Sequence, residues 1–267
     1  MKNLLQFVVA ALFTFCVITF APAQVGNPEV RELKPVAQLP PELPQRVMGL
    51  AYDGKSLWAT IYLGEGRYAK LDPVTLTWTI DNEIEHNHAI ATVAREFRSP
   101  GGVCFDNRTL WVVGAYGESF GSINADTWKV EKFFEGKQLD DRRSQWYSSI
   151  ACDGKYLWIV WHWFRYDLPI SQTQLLLKVD PETGKVIAEY AAPGGTKIDG
   201  AAGLTWDGSR LWYAKDNKLS SIEPSTGAVI DQYVLEGMKR PSGLAWAREA
   251  LWISEFDGKI WRLPFVK

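Results

Sequence analysis

The chain is poor in the residues that most often announce chemistry. Its 267 residues include only three cysteines and three histidines. No Gly-x-Ser-x-Gly occurs, and no His-Asp-Ser grouping marks a nucleophile. Neither sign of charge dominates, with 29 Lys and Arg against 31 Asp and Glu. The lack of any basic run argues against general nucleic-acid or acidic-membrane binding. Past the N-terminus no second long apolar run appears, so no other membrane-spanning segment is expected.

The N-terminus itself reads as a secretory signal over residues 1–23. Lys2 supplies the positive start, Leu4 to Phe20 the apolar run, and Ala21-Pro22-Ala23 the small-residue cleavage site. An uncleaved anchor is the competing reading, because the run approaches the ~18 residues of a spanning helix. Cys16 has no small residue before it, which speaks against a lipid anchor. The expected product is a secreted or periplasmic chain, residues 24–267, forming one domain with no membrane contact after cleavage. It keeps Cys104 and Cys152. These lie one residue out of phase on the first strands of neighbouring repeats, so alternation turns them to opposite sheet faces. The expectation is buried free thiols, with a disulfide only if the strands are irregular.

What the chain does have is a phrase used five times. It reads Gly49-Leu-Ala-Tyr-Asp-Gly-Lys-Ser-Leu-Trp58, and returns ending at Trp111, Trp158, Trp212 and, more weakly, Trp252. The Trp-to-Trp spacings of 53, 47, 54 and 40 residues fit a β-propeller with one small sheet per repeat. In the fourth repeat, Ala202–Trp206, Arg210–Ala214, Lys218–Ile222 and Ala228–Val234 read as strands. Asp207-Gly208 and Glu223-Pro-Ser-Thr-Gly227 supply turns, since Gly and Asp tolerate positive φ and Pro presets its own. The fifth repeat runs out of chain, whereas Glu29–Leu39 is strand-like and has no repeat of its own. The expected fold is therefore all-β: a five-bladed propeller of four-stranded antiparallel blades. The N-terminal strand closes the ring and removes its open edge. The recurring Trp is assigned to packing between blades rather than to a ligand platform, and the Asp-Gly pairs to turns rather than to catalysis.

Departures from the repeat gather on one face. The long insertions, 81–99, 135–147, 161–173 and 191–200, all fall on the side carrying the second-to-third-strand and blade-to-blade connections. Such a face is the expected binding face. Arg46, Arg98 and Arg240 lead into the inner strands of three contiguous blades, while Asp199 and Tyr147 lead into the other two. An arc of Arg opposite an acid and aromatics suits a small anionic or zwitterionic molecule. The alternative is that each Arg pairs with a loop acid. Trp161, His162, Trp163 and Tyr166 form an aromatic stretch that either packs the insertions or stacks on a sugar, peptide or ring. His86, His88 and His162 are the candidate ligands for a divalent metal, and no other cofactor is expected.

The opening Val47-Met-Gly-Leu-Ala-Tyr-Asp-Gly-Lys-Ser-Leu-Trp-Ala-Thr, with five repeats in a chain of this size, resembles the glutamine cyclotransferases. Those are exported five-bladed propellers that cyclise N-terminal glutamine to pyroglutamate. The family opens its first blade with Gln-Gly-Leu and then Leu-Tyr-Glu-Ser. Here Met48 stands in place of the Gln and Ala59 in place of the functional Glu, and Pro100-Gly-Gly102 is the nearest stretch to the family's Gly-Glu-Gly. The resemblance implies the architecture and, if the chain is an enzyme, an acyltransferase of that type using another carboxylate. It carries no catalytic residue across. Three readings follow: a binder of a small molecule or peptide segment, a cyclotransferase-like enzyme, and a scaffold whose loops contact a protein partner.

Overall fold

The computed structural model describes residues 27–43, 46–61, 67–80, 100–114, 119–135, 143–165, 172–194 and 202–265. Every regular element among them is a strand. Two short strands, β1 (Glu29–Glu32) and β2 (Pro35–Gln38), come first. Blade 1 is β3 (Val47–Tyr52), β4 (Leu57–Ile61), β5 (Arg67–Leu71) and β6 (Trp78–Ile80). Blade 2 is β7 (Pro100–Asp106), β8 (Thr109–Gly114), β9 (Ser119–Asn124) and β10 (Val130–Glu135). Blade 3 is β11 (Arg143–Cys152), β12 (Leu157–Arg165), β13 (Gln172–Val179) and β14 (Val186–Ala191). Blade 4 is β15 (Gly203–Trp206), β16 (Leu211–Lys215), β17 (Lys218–Ile222) and β18 (Val229–Glu236). Blade 5 is β19 (Pro241–Ala247), β20 (Ala250–Glu255) and β21 (Lys259–Pro264), completed by β2. Each first strand touches the first strand of the next blade, and β19 touches β3, so five sheets make a closed ring.

The closure has two parts. The expected outer strand is β2, antiparallel to β21, with Gln38 opposite Lys259. Ahead of it, β1 adds itself in parallel to β18, a fifth strand on blade 4. The segment read as one strand is thus divided between two blades, with the chain stepping across at Leu33 and Lys34.

The repeated phrase builds both the turn and the core. The blade tryptophans are nearly inaccessible, from 0% at Trp158 to 4% at Trp58, Trp111 and Trp212. In blades 1, 3 and 4 the Asp five residues earlier binds the indole. Trp58 Nε1 donates to Asp53 Oδ2 at 2.6 Å, Trp158 to Asp153 at 2.8 Å and Trp212 to Asp207 at 2.8 Å. The other oxygen of each Asp accepts two backbone N–H groups of its own turn. One carboxylate therefore ties the hairpin to the interblade core. Blade 5 has Ala247 at this position, and Trp252 donates to its backbone carbonyl instead, at 3.2 Å.

Glycine at the head of the phrase sets the diameter of the ring. A Cβ on Gly49 would stand 2.7 Å from the Gly101 carbonyl oxygen and 2.9 Å from Gly102 Cα. Such positions leave no room for a side chain where inner strands meet. Thr60 reinforces the same junction, its hydroxyl donating to the Gly101 carbonyl at 2.7 Å.

One expectation is overturned. Cys104 and Cys152 form a disulfide, with Cα atoms 6.0 Å apart. Both flank the apolar layer between blades 2 and 3, beside Trp111, Leu157 and Ile159. Neighbouring propeller blades stack face against face, so opposite faces are what a bridge between blades requires. The half-step in phase that seemed to separate the thiols brings them together.

Candidate functional site

The insertion face differs from its sequence reading chiefly at blade 3. The Trp161–Arg165 stretch is not a loop: β12 continues through it, paired with Arg143–Tyr147 of β11 on one side and Gln172–Leu175 of β13 on the other. Among the described residues β11 and β12 run ten and nine residues, where β4 and β8 have five and six. The aromatic stretch therefore has fixed facings, alternating across the sheet. Trp161 is half-buried against the blade 2–blade 3 layer, close to Tyr147, which is 7% exposed and stands edge-on to Phe120. His162 turns the opposite way, toward blade 4. The backbone of Trp163 pairs with Gln145 and Thr173, while its side chain is outside the described residues, as are Tyr166, Arg98, Asp199, His86 and His88.

His162 lies in a small polar assembly. Its ring is 2% exposed and stacks on Trp146, centroids 5.0 Å apart and planes 6° from parallel. Its Nε2 is 2.6 Å from Ser148 Oγ. Ser148 is the extra residue of a bulge in β11, where the register shifts between Tyr147 and Ser149. The His162 Nδ1 is buried without a hydrogen-bond partner among the described residues. Across the interface Gln174 Oε1 accepts from the Tyr213 hydroxyl at 3.0 Å, and Lys215, 4% exposed, follows Tyr213 on the same face of β16. Burial, with the Lys215 charge added, pushes the His162 imidazole down to about 3, so it is neutral at physiological pH.

The second group lies at blades 5 and 1. Arg240 is exposed and its guanidinium sits 4.1 Å above the Phe256 ring. Arg46, also exposed, directly precedes Val47, whose N–H donates to the Phe256 carbonyl at 3.2 Å, while the Phe256 N–H donates to the Arg240 carbonyl at 3.0 Å. Both Arg backbones are thus fastened around the β20–β21 turn. Glu255 secures it from below. One of its oxygens accepts the Lys239 and Arg240 N–H groups at 2.7 and 3.1 Å, and the other accepts the Trp261 indole at 2.9 Å. This buried carboxylate, absent from the sequence reading, is engaged by three donors and has a structural use. Among the described residues no group of three or more His, Cys, Asp or Glu is placed to hold a metal ion.

The chain matches no protein-family model and no curated protein. It is similar in fold to solved propellers. The glutaminyl cyclase of Myxococcus xanthus superposes with a TM-score of 0.56 at 11% identity, over 90% of this chain and 100% of that one. The virginiamycin B lyase of Staphylococcus aureus gives a TM-score of 0.48 at 13% identity, over 88% and 99%. The expected likeness to the cyclotransferases thus holds at the level of a five-bladed propeller. At such identity it is a likeness of fold.

Proposed function

We propose that this is an exported propeller that binds a small anionic or zwitterionic molecule, or a peptide segment, on its insertion face. The observation that carries the reading is the pair Arg46 and Arg240, fastened on the two sides of the Phe256 turn with their side chains at the surface. The Arg240 guanidinium so placed suits bidentate recognition of a carboxylate or phosphate. In this reading Arg98 completes the arc, Asp199 answers a ligand's positive group, and Trp163 and Tyr166 form the wall. Tyr147 and Trp161 support that wall from the core. The interblade disulfide supports export, since such bonds persist in oxidising compartments. A thermal-shift screen of the purified protein tests the proposal, using amino acids, organic acids, sugars, N-terminal glutaminyl peptides and divalent metals with EDTA controls. An acidic or zwitterionic compound at a hundred times its Kd adds about 2.7 kcal/mol of stability. That gain disappears in Arg240→Ala. If no compound shifts the melting temperature, the face is a protein-interaction surface instead.

The second reading is an enzyme of the cyclotransferase type. It rests on the full-length superposition with the glutaminyl cyclase. Its test is direct: release of ammonia from an N-terminal glutaminyl peptide, which is absent if the chain is a binder alone.

A further inference from the structure

The segment ahead of the ring carries chemistry of its own. The small-residue site Ala21-Pro22-Ala23 is followed at once by Gln24. Cutting after Ala23 therefore leaves glutamine as the first residue of the exported chain. We propose that the exported chain is capped at residue 24 by pyroglutamate, formed from Gln24 by attack of its own α-amine, so that the protein has no free α-amino group. This cap presupposes export and cleavage after Ala23, as in the reading above, and is independent of which ligand the insertion face takes. In this step the chain is the reactant, whatever it does to other molecules.

An N-terminal glutamine holds its α-amine within one five-membered ring of its own side-chain amide, and that proximity replaces a second reactant. The unprotonated amine attacks Cδ. The N–Cδ bond forms, the Cδ–Nε2 bond breaks, and Nε2 leaves as ammonia, taking one hydrogen from the amine. No oxidant, reductant or co-reactant is needed. An α-amine titrates at about 7.7–8.0, so a useful fraction is unprotonated at neutral pH. While residues 1–23 are attached, the same nitrogen is the amide of the Ala23–Gln24 bond and has no lone pair to offer. Cleavage is what starts the reaction.

The fold keeps this end away from its own binding face. Gln24 itself lies outside the described residues, which begin at Asn27. From Asn27 to Glu32 every residue is exposed, and β1 pairs in parallel with β18 at the outer edge of blade 4. β18 runs toward the insertion face, where Gly237–Arg240 carries the chain into β19, so the chain enters β1 from the turn face. The three residues from Asn27 back to Gln24 span at most about 10 Å. Four strand spacings, about 19 Å, separate β1 from the inner strand β15. Gln24 thus falls short of Arg240, and its cyclisation draws on no group at the channel mouth of the same molecule. Asn27-Pro28 follows, a bond that most aminopeptidases do not cut. The cap and Pro28 together close the N-terminus to trimming ahead of β1 and of β2, the strand that completes the ring.

The test expresses the full chain with its leader in an exporting bacterium and purifies the exported protein. After storage at neutral pH its free amines are labelled before any digestion, so that cyclisation during handling is not counted. The N-terminal peptide is then sequenced by mass spectrometry. It is expected to begin at residue 24, to be lighter than its Gln24 form by one ammonia, and to carry no label on its first residue. Pyroglutamyl peptidase then exposes Val25 to labelling. Gln24→Ala is expected to take the label at residue 24 and to lose residues 24–26 to an aminopeptidase that leaves the native chain intact. A labelled, uncyclised Gln24 as the main species overturns the proposal. A peptide beginning at any other residue overturns it as well, and takes the cleavage reading with it. Native protein trimmed as fast as Gln24→Ala shows an open N-terminus and overturns it too. The thermal shift lost in Arg240→Ala is read on the other face, so the ligand reading stands or falls separately.

Discussion

Asp207 shows how much one side chain of the repeat carries. Burial acts to raise its carboxyl, but the bonds from Trp212, Arg210 and Ser209 outweigh it and hold the group below the ordinary carboxylate range. A depressed folded-state value means that its stabilisation is complete above the unfolded value near 3.9 and fades as the pH falls through the lowered one. Asp207→Asn is therefore expected to cost about 1–2 kcal/mol at neutral pH and to flatten acid denaturation below about pH 4, measured by urea unfolding across pH. Leu76 presents the opposite case. It holds φ 58° where the equivalent turns in blades 3 and 4 have Gly184 and Gly227, and its side chain is exposed. Leu76→Gly should raise stability by about 1 kcal/mol, read as a higher melting temperature, because the left-handed strain outweighs the lost contacts. Trp128 has φ 57° as well, but its ring packs on Trp58 and Tyr68, so Trp128→Gly should destabilise.

At the scale of strands, the turns were legible and the extensions were not. Asp207-Gly208 and Glu223–Gly227 placed the hairpins of blade 4 within a residue or two, since each demands a backbone conformation that few residues accept. Trp161 to Arg165 looked like an insertion because the repeat offered no template for it. Bulky residues on both faces also hide a period of two, and here each face of β12 meets a different neighbouring blade. The glycine heading four of the five phrases is visible in the sequence, while its reason, the Gly49–Gly101 approach, is a contact between repeats that no spacing reveals. Gly49→Ala is expected to lose about 1–3 kcal/mol in denaturant unfolding, as overpacking against backbone. Thr60→Val should lose part of that amount through the bond to the Gly101 carbonyl alone.

For the molecule as a whole, the ring was readable from five tryptophans and a fifth repeat too short to finish itself. Alternation within one sheet turns Cys104 and Cys152 apart, but propeller blades meet as separate sheets, which brings them together. The disulfide closes a loop of 48 residues. Replacing Cys104 and Cys152 by Ser should cost about 4 kcal/mol if the effect is chain entropy, and melting in reductant should show the same loss. Of the candidate residues, Arg46, Arg240 and His162 stand out in the sequence, whereas Gln174 and Lys215 look like ordinary strand residues until two blades are brought together, and Ser148 until β11 bulges.

The clasp between β2 and β21 also governs the order of events during folding. Gln38 donates to the Asp257 carbonyl, a partner 219 residues further along the chain. β2 must therefore wait for the last hairpin before it has anything to pair with. The entropy of closing so long a loop is spent in one late step. Birth order and assembly order run opposite at this seam, so the nascent ring is most exposed to pairing with a neighbour just before it becomes a ring.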